Sequence, residues 1–245
     1  MKTGIINFGI MERVIFGEPT AMAITSEANR IGAKKVFLLV GATLNRETDE
    51  VQKIVDALGS KFCGLHDNMP AHSPRNAVIE CANVARNAEA DLLVTFGGGS
   101  VTDGGKAVTI CLEHNITDID GLEAYRTTVD STGKRNFPEY TAPKVRQIAV
   151  PTTLSGGEFN ARAGVTDPRL KLKQSFVHRG IMPISVILDG EVTQHTPEWL
   201  FLSTGIRAVD HAVETYLSLD ANDYWDSAAL HALHLLSEGL ARVKA

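Results

Sequence analysis

The sequence predicts an α/β fold, a parallel β-sheet covered by helices, followed by an all-α C-terminal part. Apolar runs rich in Val, Leu and Ile alternate with segments of helical spacing through the first half. Two of these runs end in glycine-rich turns, and everything after Pro197 has helical periodicity. We therefore divide the chain into an α/β domain at 1–193 and a helical domain at 194–245.

The first half of the chain alternates regularly between the two kinds of element. The predicted strands are 35–41, 61–66 and 91–96. Helices are predicted at 47–60, after Ser73–Pro74, and directly after the third strand. Ser73 is expected to cap its helix, with Pro74 as the first helical residue. Short links between strands and helices predict parallel βαβ units.

The second half is less regular before it becomes helical. Residues 117–145 are polar and predict a surface loop. Further strands are predicted at 146–153, 163–167 and 184–190. Thr196 and Pro197 then repeat the pattern of a cap followed by proline, and two helices fill the rest of the chain. The chain ends at Ala245 inside a helical pattern, so the helical domain is expected to be incomplete.

The composition excludes several classes of protein. The formal net charge of -5 at pH 7 disfavours nucleic acid or an anionic membrane as the main partner. No apolar run approaches the roughly 20 residues of a membrane-spanning helix. Glu12 and Arg13 interrupt the stretch that a secretion signal needs to be apolar, and the 3 cysteines lack zinc-like spacing. The sequence therefore predicts a cytoplasmic protein with reduced thiols.

The strongest local motif is the glycine-rich turn FGGGSVTDGGK at 96–106. Three glycines directly after a buried strand remove every Cβ from the turn, so a ligand can approach the backbone closely. With Ser100 as the expected N-cap, the N–H groups at the helix start favour a pyrophosphate. The motif matches neither GxGxxG nor GxxxxGKS, and a tight strand-to-helix turn without a ligand is the alternative.

A second motif, VPTTLSGGE at 150–158, ends another strand. Thr152 and Thr153 lie where open α/β sheets bind ligands, and a polar loop without a ligand is equally compatible with this motif alone. Two glycine-rich strand ends in one parallel sheet together favour a dinucleotide. Thr153 stands where a nucleophile elbow around Ser155 would need glycine, which disfavours a serine hydrolase.

A third motif, TGIRAVDHAVE at 204–214, lies on a predicted helix. Arg207 and His211 are four residues apart and share a face, while Asp210 lies on a neighbouring one. A single histidine on a helix is more often structural than a ligand. His231 and His234 could hold a metal, but without a carboxylate at matching spacing the sequence disfavours it.

In this order and spacing, the three motifs resemble those of the iron-containing (group III) alcohol dehydrogenase family. That family includes maleylacetate reductases, glycerol dehydrogenases and dehydroquinate synthases. The resemblance extends over nearly the whole chain and includes ERVIFGEP at 12–19, which is similar to the first strand of the family. It implies a Rossmann-like NAD(P)-binding domain at 1–193 and the start of a dehydroquinate synthase-like helical domain at 194–245. Family members continue well beyond the position of Ala245.

The resemblance also implies roles for individual residues. The turn would hold the pyrophosphate of NAD or NADP, the threonines would lie near the adenosine or ribose, and one lysine would reach the cofactor. The cofactor-binding residues implied in this way are Gly97, Gly98, Gly99, Ser100, Asp103, Thr152, Thr153 and Lys173. His211 matches the first metal-binding histidine of the family.

Three departures from the family pattern favour its maleylacetate reductase-like branch. Arg207 stands where the family has a metal-binding aspartate, and a permanently cationic guanidinium cannot ligate iron or zinc. The threonine loop is one residue shorter than that of the metal-dependent enzymes. Gly41 and Ala42 stand where the family has the aspartate that binds the ribose hydroxyls, so NADPH becomes possible beside NADH and the choice stays open. The sequence therefore argues against a bound metal, although His211 remains a candidate ligand.

The predicted reaction is hydride transfer between NAD(P)H and a small carbonyl or unsaturated acid. Arg207 would replace the positive charge of the metal at the substrate, and His211 would donate a proton. Alternatively, Arg207 only pairs with Asp210 or Glu214 on the helix surface. Two other functions stay open: a metal-dependent alcohol, aldehyde or glycerol dehydrogenase, and a cofactor-binding fragment without catalysis. The sequence leaves the oligomeric state open, with a homodimer as one alternative.

Overall fold

The computed structural model describes residues 9–243, and these form an α/β arrangement with an all-parallel sheet of six strands. Including four strands outside this sheet, the strands in the described residues are β1 (Arg13–Phe16), β2 (Val36–Val40), β3 (Phe62–His66), β4 (Leu92–Gly97), β5 (Thr128–Val129), β6 (Arg135–Asn136), β7 (Arg146–Pro151), β8 (Arg162–Asp167), β9 (Leu172–Val177) and β10 (Ser185–Leu188). The helices are α1 (Thr20–Ile31), α2 (Ala42–Glu47), α3 (Glu50–Leu58), α4 (Arg75–Asn87), α5 (Gly99–Glu113), α6 (Gly190–Thr193), α7 (Glu198–Tyr216) and α8 (Asp223–Arg242).

The strand order in the sheet is β1-β10-β7-β4-β2-β3, and every pairing is parallel. The pairs β5–β6 and β8–β9 form separate antiparallel hairpins. All five residues of β2 are fully buried, which is why its sequence is continuously apolar. Val36, Leu38 and Val40 pack in one hydrophobic cluster with α1 and α3, whereas Phe37 and Leu39 pack in the other with α4 and α5. The sheet therefore has a core on each face.

The described residues divide into two compact units. The sheet-bearing unit contains Gly9–Thr152 and Gly157–His195, and the helical unit contains Thr153–Gly156 together with the residues from Thr196 onward. Within the helical unit, α7 and α8 pack closely at Gly205, where a Cβ would lie 2.4 Å from Leu240 Cδ2. The division into an NAD(P)-binding domain at 1–193 and a helical domain at 194–245 remains a prediction.

Most of the predicted elements are confirmed, and several others are additional. The α/β class and the predicted strands at β2, β3, β4, β7, β8 and β10 are all present. The sequence did not predict α1, α2, α6 or β9. Within 117–145, the predicted polar loop contains the two-residue strands β5 and β6 and a short helical turn at 121–125.

The predicted helix caps are wrong in position. Ser73 has a positive φ of 47°, and its hydroxyl donates to Ser100 O at 2.7 Å instead of capping α4. Pro74 and Pro197 occupy the N-cap positions themselves, so each helix begins one residue later than expected. Ser100 is the second residue of α5, and Gly98 is its N-cap. A glycine N-cap tolerates the tight turn, and it releases the serine hydroxyl for a contact outside the helix.

A buried carboxylate connects three elements of the sheet-bearing unit. Glu27 of α1 accepts hydrogen bonds from Arg13 of β1 at 3.1 Å, from Arg30 at 2.7 Å and from the hydroxyl of Ser185 in β10. Burial alone raises the pKa of Glu27, but the hydrogen bonds from Arg30 and Ser185 outweigh it and lower the pKa. This ion-pair network holds the edge strand β1 and the helix α1 onto the sheet.

Among the described residues, no helix is long and apolar enough to cross a membrane. α8 ends at Arg242, and the predicted ending within a helix at Ala245 lies outside the described residues. The first eight residues, which are part of the argument against a secretion signal, also lie outside them.

Candidate functional site

The order in which the chain adds strands to the sheet reverses at β2. From β2 the chain passes to β3 on one side, and it then returns to β4 on the other side. In open α/β sheets, ligands bind at the carboxyl ends of the two strands that flank such a switch point. Here these ends meet closely, because Gly41 N donates to Phe96 O at 2.9 Å. The topology therefore locates the candidate site at Gly41 and Gly97.

The glycine-rich turn lies at this point, as the sequence predicts. A Cβ on Gly97 would lie 3.0 Å from Val101 Cγ2 and 3.3 Å from Gly41 N, so only glycine fits without displacing the neighbouring backbone. The first carbonyl acceptor of α5 is Gly98 O, which binds Val101 N at 3.0 Å and Thr102 N at 3.1 Å. The N–H groups of Gly99 and Ser100 come before the first N–H that this acceptor binds, so no carbonyl of α5 accepts from them, and together with the helix dipole they favour an anion.

A strained loop that the sequence did not single out lies against this turn. His72 and Ser73 both have positive φ values, 65° and 47°, which are unfavourable for residues with a Cβ. His72 N donates to Ser100 Oγ at 2.9 Å, and Ser73 Oγ donates to Ser100 O. Thr166 of β8 donates its hydroxyl to His72 O at 3.0 Å. These contacts hold the loop in its strained conformation beside the start of α5.

The second glycine-rich strand end lies beside the first. β7 pairs with β4 along its length, and Thr152 N donates to Gly97 O at 3.0 Å. Thr152 and Thr153 are both buried. The following residues belong to the helical unit, where Thr153 Oγ1 donates to Ser155 Oγ at 3.3 Å and Leu154 N donates to Thr204 Oγ1 at 3.1 Å. The prediction that both motifs meet at one edge of a parallel sheet is confirmed.

Asp103 contacts the protein rather than an open surface. Its Oδ2 accepts a hydrogen bond from Gly164 N at 3.0 Å, and its side chain is mostly buried. A Cβ on Gly164 would lie 2.2 Å from Lys173 Cε, so the exposed side chain of Lys173 crosses the same glycine. The structure therefore brings two of the predicted cofactor-binding residues together at Gly164 of β8.

Lys106 ends the glycine-rich motif, and the sequence argument did not assign it a role. It is 0% exposed, and its Nζ donates to the carbonyls of Gly157 and Arg162 and to Asn160 Oδ1. Burial lowers the pKa of Lys106, while the Asp103 carboxylate, 3.5 Å from Nζ, opposes that shift. A lysine in an otherwise apolar helix segment, GGKAVTI, is the signal that could have indicated a buried, fully bonded ammonium group.

Glu158 is a second buried charge next to Lys106. It is 4% exposed, and among the described residues its Oε2 has no hydrogen-bond partner. Burial raises the pKa of Glu158, and the positive charge of Lys106 offsets part of the rise. The loop after Gly157 therefore carries a buried carboxyl group and is bonded to the buried Lys106, although its sequence resembles that of an ordinary surface loop.

The third motif lies on α7 of the helical unit, and its side chains are exposed. Arg207 is 57% exposed and forms an ion pair with Asp210 on the same helix. His211 is exposed, and its carbonyl accepts a hydrogen bond from Thr215 Oγ1 at 2.8 Å. The surface pairing that the sequence left as an alternative for Arg207 is therefore present.

The described residues do not fit a metal ion. No group of three or more histidine, cysteine, aspartate or glutamate side chains lies close enough to hold one within residues 9–243. The cation Arg207 occupies the helix position four residues before His211, where the resemblance implies an aspartate. His234 has a carboxylate neighbour that the sequence argument overlooked, since Glu238 Oε1 lies 3.7 Å from its Nε2. That contact is a single exposed pair, which is too few ligands for a metal site.

Comparison with protein families identifies the chain. The model of the family described as iron-containing alcohol dehydrogenase matches residues 11–190. The chain belongs to this family. The match covers β1 to β10 and includes the glycine-rich turn and the threonine loop. The resemblance found from the three motifs is therefore confirmed.

Several relatives of this iron-containing alcohol dehydrogenase family member are similar over most of the chain. Dehydrogenase FUM7 of Gibberella moniliformis is 31% identical over 204 residues, which are 82% of this chain and 48% of the relative. Maleylacetate reductase 1 of Rhodococcus opacus is 32% identical over 232 residues, 93% of this chain and 54% of the relative. The crystal structure of sulfoacetaldehyde reductase from Bifidobacterium kashiwanohense in complex with NAD+ is 27% identical, with a TM-score of 0.81, and covers 97% of this chain and 60% of that one.

The chain spans about half the length of the curated relatives it matches, 48% of the first and 54% of the reductase. The glycine-rich turn, the threonine loop and the first helices of the helical unit all lie within the shared part.

Proposed function

We propose that this protein is an NAD(P)-dependent oxidoreductase that transfers a hydride between the cofactor and a small carbonyl or unsaturated acid, as maleylacetate reductases do. The glycine-rich turn at the switch point between β2 and β4 carries the proposal. A Cβ on Gly97 would press on Val101 and on the backbone of Gly41, and the first N–H groups of α5 have no acceptor within the helix. Family membership and the NAD+ complex of the sulfoacetaldehyde reductase support the same cofactor class.

In the proposed mechanism, this chain binds and orients the cofactor. Gly98, Gly99 and Ser100 would bind the pyrophosphate through backbone N–H groups, where the positive end of α5 stabilises its charge. Thr152 and Thr153 would contact the adenosine or ribose part. When bound, the nicotinamide supplies or accepts the hydride at its C4 atom. Gly41 and Ala42 present no carboxylate to a 2′-phosphate, which is why NADPH is included with NADH.

Arg207 and His211 are the proposed catalytic residues. Arg207 would polarise the substrate carbonyl or bind a carboxylate, which requires it to exchange its present ion pair with Asp210. Exposed pairs of this kind are worth at most about 1 kcal/mol, so a substrate carboxylate could replace Asp210 at low cost. His211 would donate the proton that completes reduction of the carbonyl.

Cofactor titration tests the central claim. We expect NADH or NADPH to quench the fluorescence of the full-length protein saturably, and Gly97→Ala to weaken binding at least tenfold because the new Cβ displaces the turn. Gly190→Ala is the matched control, since a Cβ there meets no atom within 4 Å. If neither NADH nor NADPH quenches the fluorescence of the unmodified protein saturably, the proposal is refuted.

Turnover distinguishes the proposed reaction from a metal-dependent one. Oxidation of NADH and NADPH is followed with maleylacetate and small aldehydes as substrates, together with metal analysis of the purified protein. We expect turnover that survives chelators and falls in Arg207→Ala. Stoichiometric iron or zinc, or activity that chelators abolish and metal restores, would instead select a metal-dependent alcohol, aldehyde or glycerol dehydrogenase. Cofactor binding without any turnover would indicate a binding protein.

We also propose that the protein forms a homodimer and lies in the cytoplasm. Light scattering coupled to size-exclusion chromatography measures its oligomeric state, and cell fractionation measures its location in the cell.

A further inference from the structure

Asp103 and Lys106 lie one helical turn apart on α5, and both reach the same segment, Gly157–Gly164. Lys106 uses all three of its N–H donors there, on Gly157 O, Asn160 Oδ1 at 3.1 Å and Arg162 O at 2.8 Å. Asp103 Oδ2 accepts from Gly164 N at 3.0 Å. One pair of side chains therefore holds the beginning, the middle and the end of the segment.

The same geometry leaves Lys106 without capacity for a ligand. An ammonium group has three donors and no acceptor, and all three donors are already bonded to protein oxygens. The residue is 0% exposed, so a phosphate could reach it only after the segment had moved away. The negative groups that face it are Asp103 and Glu158, both from the protein itself.

The held segment is adjacent in the chain to the threonine loop. Within the threonine loop, taken as residues 152–157, Thr152 N donates to Gly97 O at 3.0 Å and Gly157 O accepts from Lys106. Both ends of the four residues 153–156 are thus anchored to α5 or to the turn that precedes it. Anchored ends reduce the conformational entropy that the loop loses when a ligand orders it.

We propose that Asp103 and Lys106 are positioning residues, which order the threonine loop for the cofactor by fixing Gly157–Gly164, and that neither side chain contacts the cofactor. This inference rests on the proposed function for its ligand. It reverses the role implied for Asp103 by the resemblance, and it gives Lys106 a role. The glycine-rich motif then has two parts: its glycines and Ser100 bind the cofactor, and its final Asp-x-x-Lys binds the protein.

Amide hydrogen exchange of the full-length protein tests the anchoring without any cofactor. In Asp103→Ala, the amide of Gly164 loses its acceptor and should exchange about tenfold faster or more, the size expected for loss of one charge-assisted hydrogen bond. Asp103→Asn keeps one acceptor oxygen and should restore most of the protection. In Lys106→Met, faster exchange should extend over 157–164 and leave β2 and β3 unchanged. Exchange that rises equally everywhere, or not at all in 157–164, would overturn the proposal.

Cofactor affinity separates positioning from direct contact. Asp103→Ala should weaken NADPH binding about three- to tenfold, because the loop then loses more freedom on binding. Asp103→Asn should bind within about twofold of the unmodified protein, whereas a carboxylate that itself contacts the cofactor would not be replaced by an amide. Weak binding by Asp103→Asn with normal Gly164 protection would contradict the inference, and absent binding by the unmodified protein would instead refute the proposed function.

Lysine acylation provides a test that needs no variant and does not depend on whether Lys106→Met folds. Native protein is treated with an amine-reactive acetylating reagent with and without NADPH, and each lysine is quantified by mass spectrometry. We expect Lys106 to stay unmodified in both samples, while the exposed Lys53 and Lys173 react. Modification of Lys106 in native protein without NADPH, to an extent similar to Lys53, would show that the segment does not hold its ammonium group and would overturn the proposal.

Discussion

The glycine-rich motif on α5 and the arginine–histidine motif on α7 contrast in what surrounds them. On α5, Ser100, Asp103 and Lys106 contact residues 27 to 61 positions away in the chain. On α7, Arg207 and His211 contact residues three and four positions away on their own helix. The polar side chains of the first motif are therefore held by distant parts of the chain, whereas Arg207 and His211 bond within their own helix. Side chains with distant partners depend on the packing of the core, whereas side chains that bond within one helix do not.

The largest expected effect of a substitution is at the close packing of α5 against the sheet. A Cβ on Gly105 would lie 2.3 Å from Cγ2 of the buried Thr95, so Gly105→Ala should cost about 3 kcal/mol of unfolding free energy. A Cβ on Gly104 would meet only the flexible end of Met69, at 2.8 Å. Gly104→Ala should therefore cost less than about 1 kcal/mol, since the helical preference of alanine offsets the contact. Urea denaturation of both variants measures the difference, and equal costs would contradict tight packing at Gly105.

A buried ion pair should matter more than the exposed pair on α7. Glu27→Gln removes the charge that Arg13 and Arg30 face, and it should cost about 2 kcal/mol at neutral pH. Because the pKa of Glu27 is lowered on folding from its usual 4.5, the stabilisation is complete above that pH and is lost as the pH falls further. Melting curves between neutral and acid pH should show the two proteins converging. A gap that is constant with pH would show that the charge is not responsible.

The contact between the turn and the strained loop should have a moderate effect. Ser100→Ala removes the acceptor of His72 N, and it should cost about 1 kcal/mol and also weaken cofactor binding. Ser203→Ala on α7 is the control, because that exposed hydroxyl donates to Trp199 O on its own helix. The control should change the unfolding free energy by less than about 0.5 kcal/mol. If both variants lower the unfolding free energy equally, the hydrogen bond between Ser100 and His72 does not stabilise the protein more than a hydrogen bond within a helix does.

The smallest effect is expected for Arg207. Its ion pair with Asp210 is exposed, so Arg207→Ala should change the unfolding free energy by less than about 0.5 kcal/mol and by still less at high salt. Thermal denaturation at two salt concentrations measures this. A cost above 1 kcal/mol would show that Arg207 has a structural role, and the comparison between the two motifs would then fail.

Sequence patterns predicted the strands and the main motifs because these depend on local chemistry. The continuous apolar run of β2 follows from burial on both faces, and the glycine at position 97 follows from the close approach of Gly41. The N-cap assignment of Ser100 was wrong because its hydroxyl has a better partner in His72, 28 positions away. The strained loop at 72–73 contains no glycine, so its sequence does not indicate positive φ values. The local sequence likewise does not indicate the hydrogen bond between His72 and Ser100.

The sequence by itself determined the α/β class, the positions of the two glycine-rich strand ends and the family to which the chain belongs. Each depends on periodicity or on residue types that only one backbone geometry tolerates. Only the tertiary structure decided what the polar residues of the motifs bind. Asp103 and Lys106 bind β8 and the segment before it, whereas Arg207 binds its own helix. The physical reason is that a hydrogen bond depends on the spatial position of its partner, and distant partners are brought together only by the packing of the core.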